Sequence, residues 1–321
     1  ATATRERVFA AAEQLRYRPN DLVKGIFGHR SFTVGLITSD SFGRFTGPIM
    51  AGAEDALGQG QVSVIMCDSR GDVNREARHL DALVGRRVDG LIVTGRCSNP
   101  RPSVMSGLPF PVVYAHTPSM DPDDLCVMVD DVGAGRLAAE HLMDVGRRRI
   151  AHISGPADFA AVAKRAKAFT RAVEEAGLRP VGGVRTGFWC EAWGREAANS
   201  IIAEYPDVDA IYCGSDLLAR GAADALREAG RSVPDDIALV GTDNWRLIAE
   251  SARPTLTTVD LNMTLVGRRA AEALVKAIDG NRGHGRLTVR ATLVVRGSSG
   301  VTYQSPTKLG GYHESCIHST P

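Results

Sequence analysis

Val88-Asp89-Gly90-Leu91-Ile92-Val93 follows a helical pattern over Arg75–Val84 and opens a four-residue apolar strand, Gly90–Val93. The run is too short for a buried helix, and its uninterrupted apolar character suits a strand covered on both faces. The same alternation extends in both directions. Before it lie strand-like runs at Thr33–Ile37 and Val62–Cys67 with a helical pattern at Pro48–Leu57; after it come Val112–Tyr114 and Val127–Val129. The pattern then restarts with strands at Ile150–Ile153, Val184–Phe188, Ala210–Cys213, Ala238–Val240 and Thr257–Val259. Helical stretches at Arg165–Ala176, Ala192–Glu204, Leu217–Ala229 and Thr264–Asp279 separate or follow them. Repeated β-α units of this length predict parallel sheets with helices on both faces. Ten strands are too many for one comfortable sheet, so the expected fold is α/β with two doubly wound parallel-sheet subdomains. A weak echo between Val88-Asp89-Gly90-Leu91-Ile92 and Val208-Asp209-Ala210-Ile211-Tyr212 agrees with that division.

The bulk properties fit. The chain has 321 residues, 44% of them hydrophobic, with 34 glycines and a formal net charge of +1. That balance argues against a protein coated in nucleic acid, but leaves room for a small basic arm. No run of eighteen apolar residues is present, so no membrane span is expected. Six cysteines (Cys67, Cys97, Cys126, Cys190, Cys213 and Cys316) occur singly without a C-x-x-C pair. This reads as reduced, buried, cytoplasmic usage, with no disulfide framework and no metal site. Residues 301–321, rich in Ser, Thr, Gly and His, read as a disordered tail in preference to a metal tract built on His313, Cys316 and His318.

The first residues carry a different message. Val8, Ala11, Ala12 and Leu15 recur at helical spacing after the polar turn Thr4-Arg5-Glu6-Arg7, and Pro19 stops the pattern. So few apolar positions cannot form a core alone. Thr4-Arg5-Glu6-Arg7-Val8 … Leu15-Arg16-Tyr17-Arg18-Pro19-Asn20 resembles the last helix of the DNA-binding headpiece in the LacI/GalR family of bacterial transcription regulators. Further phrases match that family in order. They are Val88-Asp89-Gly90-Leu91-Ile92, Glu140-His141-Leu142 … Gly146-Arg147-Arg148-Arg149-Ile150-Ala151, Gly155-Pro156, Gly241-Thr242-Asp243, Pro254-Thr255-Leu256-Thr257-Thr258-Val259 and Leu293-Val294-Val295-Arg296-Gly297-Ser298.

The resemblance implies a periplasmic-binding-protein-like core of type I, its two subdomains joined by three crossovers near 129–131, 259–262 and 288–291. A remnant helix of a helix-turn-helix headpiece (1–19) and a hinge (20–31) precede it. One effector subdomain comprises 32–129 plus 261–289 and the other 130–260 plus 290–300. The implied ligand-binding positions between them are Phe45, Thr46, Thr94, His116, Arg165, Trp189, Ser215 and Asp243. Where sugar-binding relatives carry aspartate and asparagine, this chain has His116 and Ser215. An arginine fork, a carboxylate and an indole plane together suit a small polyol, a sugar or a similar effector. Asn20, Leu22, Val23 and Ile26 fall in the hinge, where an apolar side chain from each protomer of a homodimer wedges into the minor groove of operator DNA. The two helices that read the major groove are not in this sequence, so specific operator binding is not expected from this chain alone.

The resulting expectation is a cytoplasmic, ligand-responsive transcriptional regulator, read as a repressor, with no cofactor and no membrane partner. A solute-binding protein of a sugar transporter is the alternative, and the N-terminal helix counts against it. The sequence has no G-x-G-x-x-G after a strand, P-loop, H-E-x-x-H or G-x-S-x-G. An enzyme would have to rely on Asp216 and Asp243 as paired carboxylates, and the expectation is that the protein is not one.

Overall fold

A computed structural model describes residues 2–15, 30–41, 43–58 and 62–300. The hinge positions Asn20, Leu22, Val23 and Ile26, the tail 301–321 and Cys316 lie outside the described residues. The N-terminal helix α1 spans Thr2–Gln14. Val8, Phe9 and Leu15 are exposed along it.

The first half contains β1 (Thr33–Thr38), α2 (Thr46–Leu57), β2 (Ser63–Asp68), α3 (Val73–Gly85), β3 (Gly90–Val93), β4 (Val112–Ala115) and β5 (Leu125–Val129). The second contains α4 (Asp131–Asp144), β6 (Ile150–Ser154), α5 (Ala160–Glu175), β7 (Val181–Thr186), α6 (Glu191–Glu204), β8 (Ala210–Cys213), α7 (Asp216–Glu228), β9 (Ala238–Thr242), the short α8 (Arg246–Ala249) and β10 (Thr257–Asp260). Then α9 (Met263–Ile278) and β11 (Gly285–Val289) return to the first sheet, and β12 (Thr292–Val294) to the second.

The two six-stranded sheets run β11-β5-β4-β3-β1-β2 and β12-β10-β9-β8-β6-β7. All pairings in the first are parallel. In the second only β12, at the edge, is antiparallel to its neighbour β10. Each sheet is doubly wound, and β1, β3, β4 and β5 are buried almost throughout because helices cover both faces. Three apolar clusters fill the layers, and one of them runs continuously from Val34 and Ile49 in the first half to Tyr212 and Val240 in the second.

The sequence reading needs correcting at three places. β7 begins at Val181, not Val184, because Gly182 and Gly183 adopt left-handed φ of 67° and 68° and the strand bulges against β6. β11 and β12 were not anticipated. Both are edge strands: β11 is largely exposed and β12 is a single three-residue run, so they lack the signal that marks the buried strands. Cys126 and Cys213 are buried, but Cys67, Cys97 and Cys190 are only partly covered.

The chain passes between the sheets three times, and hydrogen bonds tie these passages together. Asp130 N–H donates to Val289 O at 3.0 Å. Asn262, in a left-handed conformation that asparagine tolerates, donates from Nδ2 to Arg290 O at 2.8 Å. After the second passage, α9 packs on α2 at very close range. A Cβ on Gly52 would stand 1.8 Å from Thr264 O, and one on Gly267 1.9 Å from Ile49 O. Alanine stabilises an ordinary helix interior by about 0.8–1.0 kcal/mol over glycine, but here it has no space. Gly267→Ala is therefore expected to destabilise the protein by about 1–3 kcal/mol, read as a lower urea midpoint; an unchanged or raised midpoint would refute this packing.

Candidate functional site

The carboxyl ends of β1, β3, β4, β6, β8 and β9 open into the space between the halves, the usual position of a ligand crevice in open α/β sheets. At two of these ends the backbone leaves the sheet in a conformation that L-residues rarely adopt. His116, after β4, has φ 68°, and Asp243, after β9, has φ 103°. Such strain costs of order 1–3 kcal/mol and persists only where surroundings hold it. His116 N–H bonds Val127 O and Asp243 N–H bonds Val259 O, each at 2.9 Å. Both side chains are thereby set into one recess.

That recess is lined by Arg44, Phe45, Arg96, Cys97, Ser98 and His116 from the first half, and by Phe159, Ala161, Arg165, Trp189, Gly214 and Asp243 from the second. It continues through Arg44, Phe45 and Asp243 into a wider chamber of about 560 Å³, with walls that include Pro48, Trp245, Leu247, Asn262, Met263 and Leu265. The combination of apolar walls and few polar groups is that of a small-molecule site.

The positions anticipated from sequence separate into two groups. Phe45, His116, Arg165, Trp189 and Asp243 come together in the recess. Phe45 packs on the His116 ring with centroids 4.8 Å apart. The Trp189 indole meets Phe159 edge-on at 5.9 Å and lies against Gly155, where any Cβ would collide with the ring. Thr46 and Ser215 do other work. Thr46 Oγ1 is buried against Thr38 Oγ1 at 2.7 Å, and Ser215 Oγ caps α7 by accepting from Leu218 N–H. Thr94 is not among the residues that line the recess; its Oγ1 is buried with no hydrogen-bond partner among the described residues. Asp216 is buried, and its carboxylate accepts from Thr258 Oγ1 at 2.6 Å and Trp245 N–H at 2.7 Å.

Sequence reasoning missed Arg44, Phe159, Trp245 and Asn262. Each sits in a loop or at an element's edge, where periodicity carries no signal. For Arg44 the only cue was its place after β1, beside Phe45.

The electrostatics are specific. Arg165 Nε and Nη2 bind Asp131 Oδ1 at 2.9 and 2.8 Å, and Nη1 donates to Gly214 O at 3.0 Å. Burial works against its charge, but Asp131, with Tyr212 and Asp243, outweighs that and raises its pKa. Asp243 is pushed up by burial, against the pull of Arg44 and Arg165. One of its oxygens, Oδ2, lies 3.4 Å from Arg44 Nη1, close enough for attraction but outside hydrogen-bond geometry, and so has no hydrogen-bond partner. Burial lowers His116 to about 4, with Arg165 and Arg44 assisting and Asp131 and Asp40 opposing. His152, stacked on Tyr212 at 4.5 Å, is lowered to about 3 for the same first reason. Both rings are neutral at pH 7, and none of their nitrogens has a hydrogen-bond partner among the described residues. Among the described residues no group of three or more His, Cys, Asp or Glu side chains is placed to hold a metal ion, and no helix is long and apolar enough to cross a membrane.

On acidification the unfolded chain protonates these histidines from about pH 6.5, while the folded one does not until about pH 4 or below. Their contribution is present above pH 6.5 and is lost as pH falls, whereas Asp243, with its raised pKa, acts in the opposite sense. Between pH 7 and 5 each histidine is expected to cost roughly 2 kcal/mol of stability. Urea midpoints across this range should therefore fall less in His116→Leu and His152→Leu than in the parent; equal slopes would contradict the assignment.

Residues 139–299 match the model of a periplasmic binding protein-like domain. The HTH-type transcriptional regulator CelR of Thermobifida fusca is 33% identical over 306 residues, covering 92% of this chain and 89% of its own. The HTH-type transcriptional repressor PurR of Aliivibrio fischeri is 30% identical over 286 residues, covering 87% and 84%. Among solved structures, the transcriptional regulator CelR–cellobiose complex superposes with a TM-score of 0.70 at 31% identity, over 93% of this chain and 91% of that one. These relatives are regulators of transcription, not enzymes or transport proteins.

Proposed function

The chain belongs to the LacI/GalR family of transcriptional regulators, and on that premise we propose that it represses transcription under the control of a small polyhydroxylated effector bound between its two halves. The observation that carries this reading is the convergence of Phe45 and His116 from one half with Arg165, Trp189 and Asp243 from the other on one recess. A sugar-like ligand presents apolar ring faces and hydroxyls. Trp189 and Phe45 offer surfaces for the faces, and the unpaired Asp243 Oδ2 and His116 nitrogens offer partners for the hydroxyls. The similar CelR is described with cellobiose bound, an effector of this class.

Because the walls of the recess come from both halves, a ligand favours one arrangement of the halves over another. By linkage it then changes affinity for operator DNA by the same factor that DNA changes affinity for it. The DNA-facing segment is the hinge around Asn20, Leu22, Val23 and Ile26, working in a homodimer on a twofold-symmetric site in the cytoplasm. Catalysis is no part of this reading, since both Asp216 oxygens are already committed, to Thr258 Oγ1 and Trp245 N–H.

A thermal-shift screen against sugars, sugar phosphates, nucleosides and small carboxylates tests the reading. A ligand at 100 times its Kd stabilises the bound state by about 2.7 kcal/mol, a visible shift. The expected result is a hit that Asp243→Ala and Trp189→Ala both abolish; a hit untouched by either would put the effector site elsewhere.

A further inference from the structure

Arg44 stands in the loop between β1 and α2 and lines both the inner recess and the outer chamber. Its guanidinium carbon lies 4.3 Å from the centre of the Phe45 ring, so one face of the group is covered while its N–H edge stays open. The side chain is only 17% exposed. No described residue accepts a hydrogen bond from it, and its nearest acid, Asp243, is at 3.4 Å without hydrogen-bond geometry. Its unused donors face the cavity, where a guanidinium binds an acidic acceptor through charge-assisted hydrogen bonds.

Neighbouring charges do not cancel it. Arg165 is matched by Asp131. Asp40, the other buried carboxylate nearby, accepts from the Phe45 and Thr46 amides and thereby closes the start of α2. Arg44 and the exposed Arg96 are then opposed in the recess by Asp243 alone. A single guanidinium with open donors suits a singly charged carboxylate better than a phosphate dianion.

We infer that the effector is a polyhydroxylated carboxylic acid, its carboxylate held by the Arg44 guanidinium and its hydroxyls shared between Asp243 and His116. This rests on the recess being the effector site. It makes Arg44 the residue that separates sugar acids from the neutral sugars of the same stereochemistry.

Isothermal titration of the chain with D-gluconate, D-glucuronate and D-galactarate, against D-glucose, D-galactose and a hexose phosphate, tests it. At least one acid should bind more than about tenfold tighter than its neutral counterpart. Arg44→Gln should weaken that acid by about tenfold or more while leaving neutral sugars within about threefold, and Arg44→Lys should restore part of the loss. Unliganded melting temperatures of both variants verify that they fold. The inference is overturned if no acid binds, if a neutral sugar or the phosphate binds as tightly as every acid, or if Arg44→Gln weakens acid and neutral ligands alike. Asp243→Asn and Trp189→Ala separate the two levels. A neutral ligand lost in both variants leaves the recess as effector site and removes only the acid requirement. An acid that binds unchanged in both removes the recess itself.

Discussion

The buried pair between Asp131 and Arg165 is the constraint on which the cleft depends. Asp131 is the first residue of α4, where the chain has just left the first sheet, and Arg165 lies on α5 of the second half. Both side chains are almost fully buried. Around the pair, Ser98 Oγ reaches Asp131 Oδ2 from the loop after β3, and Arg165 donates to the carbonyl of Gly214 after β8. Four chain segments from both halves are thus held to one charge pair. Removing one member of such a pair costs about 3–5 kcal/mol, because the other is left buried and uncompensated. Its consequence for the site is that part of the Arg165 fork is already occupied, and the guanidinium acts as a wall of the recess as much as a hand reaching into it.

Around this anchor, the fold delivers polar groups that the protein itself does not satisfy. His116 and Asp243 are turned out of their strands by strained backbone, and each keeps hydrogen-bonding capacity unused in a largely apolar setting. Unpaired buried polar atoms are rare because each costs about 1–3 kcal/mol. Their concentration where two halves meet is a physical signature of a ligand site. The three passages between the sheets are tied to one another through Asp130, Asn262 and Arg290. A ligand that touches both walls acts on the arrangement of the whole molecule.

Much of the fold was legible because buried parallel strands read as short apolar runs; Gly90–Val93 and Ala210–Cys213 emerge with the bounds that their sequences suggest. The illegible parts had weak physical signals. α4 contains Gly133 and Gly135 and few large apolar residues, so its pattern is faint. β11 is a largely exposed edge and β12 a three-residue one. In the site, the family resemblance pointed to Asp243, Trp189 and Arg165, but it could not separate a ligand-facing hydroxyl from a structural one. Thr46 and Ser215 were singled out for their positions, yet their hydroxyls serve the starts of α2 and α7. Arg44 was overlooked for the converse reason: its environment is assembled from residues about two hundred positions apart in the chain.

The most direct measurement is a double-mutant cycle for folding stability on Asp131→Asn and Arg165→Met, followed by urea unfolding of the single and double variants. If the pair fixes the second-half wall of the recess, each single change is strongly destabilising and the double change costs less than their sum, with a coupling of roughly 1–3 kcal/mol. Additivity within about 0.5 kcal/mol would contradict the account, since the cleft would then owe its shape to something other than this pair.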